Sequence, residues 1–365
     1  TGKKTQSYAG LGTDALTSVR SRTTLSSISV YINNITSADT TLSLSLTAIE
    51  EFQQQSRNFS DTMVGFIQEG DHQAGDKVLY DDPLTAEIEE IAMGNTSAQM
   101  DPDFQAVINH AENLYSFLGE LLNAKEGDRY LFAGAAGSEK PLNDTGTLDA
   151  AVNTLLTDWK AGNITTDELI ADIMDGTALN GNSNAITDST IGFSPTLSGG
   201  TAGDVFVRAD ENSEFEYTTL ANERSLRNVM VALAVMKNEN LPPIVDVYED
   251  GNYPGIPDAK GAPGATAVEQ QDNFYQLFTQ LSTLVNDSID QIDKIRFRVE
   301  TVRVQMSETK ESHIDQRELL QNTISSVEDV DTNEAAVRLT TLQTQLEASY
   351  SVTAITRDLS LVNYL

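Results

Sequence analysis

Apolar residues recur from Leu25 to Ile49 at alternating intervals of three and four. Leu25, Ile28, Ile32, Ile35, Asp39, Leu42, Leu46 and Ile49 form an a/d heptad seam with one polar interruption at Asp39. Ser, Thr, Asn and Gln fill most positions between them. Beyond Ile49 the spacing slips. Phe52, Phe59, Met63 and Phe66 carry the stripe onward, and Gly65 and Gly70 predict that the helix weakens there. A second seam of the same period runs through Val285, Ser288, Ile292, Ile295, Val299, Val302 and Met306, with Phe274, Leu277 and Leu281 upstream. Charged residues such as Asp290, Lys294, Arg296 and Glu300 occupy its other faces, and Leu319, Leu320 and Ile324 continue it less regularly. No proline follows Pro263, so the chain from there to Leu365 is free to be nearly all helix. Asp329, Asp331, Thr332 and Asn333 predict a break and a fresh N-cap. The last helix then runs from Glu334 to Asp358, with Ala335, Leu339, Leu342, Leu346 and Tyr350 on one stripe.

Between these ends the pattern changes. Residues 103–124 read as one more amphipathic helix, ended by Gly127 and Asp128, and Tyr130–Phe132 as a short buried strand before a turn. Residues 137–264 hold most of the glycine and proline. Short helices are predicted at 148–160, 165–175 and 220–238, and strands at Val205–Arg208 and Ile244–Tyr248. The expected fold is mainly α. An elongated antiparallel helical bundle or coiled coil is built from residues 1–140 and 265–365, with a small mixed α+β domain inserted at 141–264. The helical segments 16–65 and 270–325 are expected to lie antiparallel.

Charge sharpens this division. Of 365 residues 55 are acidic and 23 basic, a net charge of −32. Residues 1–60 hold five basic and four acidic groups, whereas 61–140 hold four and 16, and 141–260 hold six and 19. A nearly neutral segment packs readily against copies of itself, while a strongly acidic one repels its copies and stays hydrated. That is the distribution of a subunit whose ends assemble and whose middle faces solvent; an acidic protein adapted to salt would show the same total. Nucleic-acid binding and docking to an anionic membrane both call for a basic face, so neither is expected. No apolar run reaches the roughly 20 residues of a membrane span, so no membrane insertion is expected.

Candidate chemistry is sparse. There is no cysteine, so there is no disulfide or thiolate, and His72, His110 and His313 are too dispersed to form a local metal pair. Gly10-Leu11-Gly12-Thr13-Asp14-Ala15 matches G-x-G-x-x-A but lacks the preceding hydrophobic strand of a dinucleotide site. Asp246, Tyr248 and Asp250-Gly251 resemble a calcium loop, yet the twelfth position is Pro257 in place of a bidentate acid. No nucleophile elbow is present. No enzyme activity, cofactor or metal is expected.

Specific segments at both ends resemble the flagellin superfamily, and within it the hook–filament junction type (hook-associated protein 3). Thr1-Gly2-Lys3-Lys4 with Tyr8-Ala9-Gly10-Leu11-Gly12 resembles the family's Gly-rich link after its first helix, and the helix from Leu16 its next helix. Gly127-Asp128-Arg129-Tyr130-Leu131-Phe132-Ala133-Gly134, with Pro141, is similar to the Tyr-x-Phe-x-Gly turn of junction proteins. Glu334–Tyr350 and the ending Leu359–Leu365 resemble the family's terminal assembly helix and close. Filament flagellins of alphaproteobacteria share this turn and this ending. In the family a further helix precedes the Gly-rich link, pairs with the terminal helix and carries the export signal; this chain begins where that helix would end. The resemblance implies a secreted, extracellular structural subunit of the bacterial flagellum that joins hook to filament, the alternative being a filament-forming flagellin. Its implied partners are copies of itself, the first hook-associated protein, flagellin and an export chaperone at the C-terminal helix. Absence of cysteine suits a chain exported unfolded. A lesser alternative is a secreted adhesin or carbohydrate-binding protein that uses the inserted domain, with Tyr217, Tyr248 and Tyr253 as its exposed aromatics.

Overall fold

The computed structural model describes residues 14–73, 77–81, 88–92, 102–143, 146–160, 163–175, 185–239, 267–329 and 332–358. Helices dominate. In chain order they are α1 (Ala15–Gln73), α2 (Pro102–Leu122), α3 (Thr147–Lys160), α4 (Thr166–Asp175), α5 (Asp188–Ile191), α6 (Pro195–Ser198), α7 (Arg224–Asn238), α8 (Ala267–Glu328) and α9 (Thr332–Asp358). Three antiparallel two-stranded ribbons accompany them: β1 (Lys77–Asp81) with β2 (Ile88–Ala92), β3 (Lys125–Glu126) with β4 (Arg129–Tyr130), and β5 (Phe206–Arg208) with β6 (Glu214–Glu216). The chain divides into two compact units. One comprises Thr1–Ile35, Ala209–Asn212 and Ser307–Leu365; the other comprises Thr36–Arg208 and Ser213–Met306.

In the larger unit, α1 and α8 run antiparallel. Arg303 Nε donates to Asp39 Oδ1 at 3.0 Å, Gln53 Nε2 to the Ile289 carbonyl at 3.2 Å, and Ser60 Oγ to Asn286 Oδ1 at 2.9 Å. As the α1 index rises the α8 index falls, which fixes the direction. Ala38, Leu42, Ile49, Phe52, Phe59 and Met63 of α1 are buried, as are Leu277, Leu281, Val285, Ile292, Ile295 and Val299 of α8. The weakening expected at Gly65 and Gly70 does not end the helix: α1 continues to Gln73. With Phe59 and Met63 both fully buried, packing of the preceding turns outweighs the modest propensity penalty of one glycine.

A second core forms around α7. Twelve consecutive residues, Ser225 to Met236, are buried, so this helix is enclosed on every side. Helices α2, α3 and α4 pack on it. Gly119 of α2 faces the Met230 methyl at 3.9 Å from the position a Cβ would take, and Lys237 Nζ lies 4.2 Å from the Tyr115 ring centroid. Helix α7 lies within the range 141–264 and α2 outside it. Helix α4 starts on a reciprocal capping box: Thr165 N donates to Glu168 Oε2 at 2.9 Å, and Glu168 N to Thr165 Oγ1 at 3.1 Å. The only tryptophan in the sequence, Trp159, is fully buried and donates to Thr166 Oγ1 at 3.0 Å.

Tyr130–Phe132 does not form the expected buried strand. Only Arg129–Tyr130 pairs, and the next residues bond to separate places: Tyr130 N to the Gly137 carbonyl (2.7 Å), Leu131 N to that of Ala124 (2.9 Å) and Ala221 N to that of Phe132 (3.0 Å). Gly134 follows with φ +61°, and a Cβ there would stand 2.7 Å from the Gly203 carbonyl oxygen, so the turn requires glycine. The ribbon β1–β2 was not anticipated from the sequence. The strand expected at 244–248, the calcium-like loop at 246–257 and Gly10–Thr13 lie outside the described residues.

Candidate assembly surface

The seam residues read from the sequence fall into two classes. Ile28, Ile32, Ile35, Leu42, Ile49, Ile292, Ile295 and Val299 are buried, and Leu25, Leu46 and Val302 half-buried. Leu339, Leu342 and Leu346 are instead 60%, 57% and 53% exposed. The first class is occupied by folding. The second is left exposed.

Two seam positions shift. Ala38 is buried in place of Asp39, whose carboxylate lies to the side and pairs with Arg303. Ser45 is buried where Leu46 was expected. Buried Ser45, Ser56 and Ser288 each turn the hydroxyl back to the carbonyl four residues earlier, at 3.0, 2.7 and 2.7 Å. A polar side chain thereby enters the seam with its hydrogen bond made.

In the smaller unit, Ser18 and Arg22 of α1 hold Glu328, the last residue of α8. Ser18 Oγ and Arg22 Nη2 donate to its carboxylate, and Arg22 Nε donates to Oε1 at 2.9 Å. These bonds from Arg22 and Ser18 lower the Glu328 carboxyl to about 2. The clamp holds the last residue of α8, and α9 begins four residues later at Thr332. In the same unit His313 is buried, its Nε2 2.7 Å from the Ala209 carbonyl and its ring stacked on Tyr31 with centroids 5.7 Å apart. His110, in the larger unit, is half-buried and edge-on to Phe59. The side chain of His72 lies outside the described residues. No group of three or more histidine or acidic residues that could hold a metal occurs among the described residues.

Helix α9 differs from every other long helix. All residues from Ala336 to Arg357 are exposed. Sequence reading found one stripe, Leu339, Leu342, Leu346 and Tyr350. At about 100° per residue, Val337, Ala348, Val352 and Ile355 lie on the opposite side, also exposed. The helix is therefore apolar on two opposed faces with threonine, glutamine and charged residues between. A search for a single amphipathic stripe misses this, because two opposed stripes cancel in any one-sided measure.

A small cleft opens in the larger unit beside the β3–β4 turn, with a volume of about 310 Å³. Ser37 and Thr41 of α1, Glu126, Arg129 and Tyr217 line it. Tyr217 is half-buried, and burial raises its phenol above 10.0, with the nearby Arg129 charge opposing and Glu126 adding to the rise. Tyr248 and Tyr253 lie outside the described residues. Among the described residues no helix is long and apolar enough to cross a membrane.

Residues 282–365, which include most of α8 and all of α9, match the family model described as the bacterial flagellin C-terminal helical region. A Vibrio parahaemolyticus protein described as a flagellar hook-associated protein is similar in structure. Its identity is 11% and the TM-score 0.47, over 86% of this chain and 96% of that one. FlgL of Bacillus cereus is similar at 12% identity and TM-score 0.45, over 85% of this chain and 99% of that one. No curated protein matches the chain in sequence.

Proposed function

We propose that this chain is a structural subunit of the bacterial flagellum, of hook–filament junction type, which associates with copies of itself and with neighbouring axial proteins through its helical ends. The observation that carries the reading is α9, fully exposed from 336 to 357 and apolar on two opposed faces. It lies inside the segment that matches the flagellin C-terminal helical region. A helix of this kind gains its stability from neighbours, at roughly 1.5–3 kcal/mol for each large apolar side chain it buries. The role is structural and extracellular, and no catalytic chemistry is assigned.

Because the matched region takes its description from flagellin, a filament-forming subunit is the second reading. Sedimentation and electron microscopy of the full chain, alone and with the first hook-associated protein and a filament flagellin, separate the two. A junction subunit binds both and stops at a short assembly, whereas a filament subunit elongates alone. A chain that stays monomeric alone and in both mixtures refutes both readings.

A further inference from the structure

The Arg129 guanidinium is placed with care yet makes no hydrogen bond or ion pair with any described residue. It lies across Gly137, where a Cβ would come within 2.7 Å of Nε and 3.2 Å of Nη2, so that any side chain at 137 would displace it. The bond from Tyr130 N to the Gly137 carbonyl ties the two segments together. Beside it, the half-buried Tyr217 hydroxyl also has no hydrogen-bond partner among the described residues, and its raised pKa keeps it a phenol, hence a donor, at neutral pH. Glu126, the acid in the same cleft, already accepts a hydrogen bond from Thr41 Oγ1. The cleft thus offers a planar fork of donors and a phenol donor that no described residue receives.

We infer that this cleft receives a carboxylate side chain from a second copy of the chain. Guanidinium and carboxylate match as a bidentate pair, and a Tyr hydroxyl adds a third donor to the same anion. The partner follows from charge: with 55 acidic residues against 23 basic ones, a neighbouring copy carries more than twice as many carboxylates as cations. The inference rests on the subunit reading and names a contact distinct from α9.

Arg129→Lys in the full chain, treated with a zero-length carbodiimide in a mixture of nitrogen-15-labelled and unlabelled protein, tests it. The expected product is a covalent dimer in which the introduced amine is joined to an Asp or Glu of the other copy, at least tenfold above Arg129→Gln treated alike. Arg129→Glu is expected to weaken self-association at least tenfold without altering the melting temperature, since Arg129 is exposed and bonds no described residue. If association persists and is lost on Leu342→Asp, while Arg129→Glu changes nothing and no link maps to position 129, the cleft contact is wrong and the subunit reading stands. A chain that shows no self-association at all overturns both.

Discussion

Arg227 is the side chain whose removal should damage the larger unit most. It is 5% exposed on α7 and ties three segments to that helix. Nη1 donates to the carbonyls of Ile173 (3.1 Å) and Met174 (2.9 Å) at the end of α4, Nη2 to that of Ile186, and Nε to Asp188 Oδ1 (3.2 Å). Arg227→Met keeps the apolar stem and removes every donor. Asp188 keeps Asn222 Nδ2 at 2.8 Å, which softens the loss of its ion pair. Breaking a buried pair from one side costs about 3–5 kcal/mol, and each orphaned buried carbonyl about 1–3 kcal/mol. These terms overlap because the carbonyls relax toward water together, so the expected loss is about 4 kcal/mol. Chemical unfolding followed by tryptophan fluorescence reads it directly, since Trp159 is buried and is the only tryptophan in the chain. Lys140→Met, at an exposed position of the same unit, is the control and should shift stability by less than about 0.5 kcal/mol. A loss below about 1 kcal/mol for Arg227→Met would show that the carbonyls are satisfied without the guanidinium.

Four further outcomes are expected. Ile292→Ala, at a fully buried seam position, should lose about 2–5 kcal/mol, whereas Phe297→Ala, 75% exposed on the same helix, should stay within about 0.5 kcal/mol in denaturant titrations. Glu328 has its carboxyl lowered from 4.5 to about 2, so its clamp contributes fully above 4.5 and is lost as pH falls from there through about 2; Glu328→Gln should flatten that part of the melting-temperature profile, and equal slopes would refute the linkage. Gly134→Ala should cost more than about 1 kcal/mol in unfolding titrations, from the positive φ and the contact with the Gly203 carbonyl together. Replacing 141–264 by a short linker removes α7 from the face of α2, so circular dichroism should show weakened helix beyond the deleted segment; full retention would mean that α2 finds other cover.

The period of the seams was legible because burial along a long helix is nearly a geometric fact. The shift from Asp39 to Ala38 and from Leu46 to Ser45 arises because 3.6 residues per turn does not keep step with a strict heptad. A hydrophobicity pattern prefers Leu46 to Ser45, yet Ser45 closes its hydroxyl on the Thr41 carbonyl and packs as a small residue. The helix at 220–238 was anticipated, but its place at the centre of a core was not. Its polar residues Ser225, Arg227 and Asn228 do not mark a core helix, and the carbonyls that receive Arg227 belong to segments more than 35 residues away in sequence. The cleft at Arg129 was equally hidden, since it depends on Gly137 and Tyr217 converging on a two-residue ribbon. In α9 the stripe at 339–350 was visible and its opposite was not.

That second stripe bears on the kind of assembly. If α9 carried only Leu339, Leu342, Leu346 and Tyr350, a two-fold dimer that faced two copies of the stripe together would bury it, and association would stop there. Val337, Ala348, Val352 and Ile355 would remain exposed on the outer side of such a dimer. On the subunit reading, covering both faces calls for a neighbour on each side of α9, and a contact that joins one face to a different face on the next copy is heterologous. Heterologous contacts close only as rings and otherwise run on as helical arrays. The buried seams of α1 and α8 do not compete for these neighbours, because Ile35, Leu42, Ile292 and Val299 are already consumed within the chain. On the subunit reading, folding and assembly draw on separate sets of apolar residues, and joining the two stripes of α9 to each other on successive copies gives a ring or an open helical array in place of a closed pair.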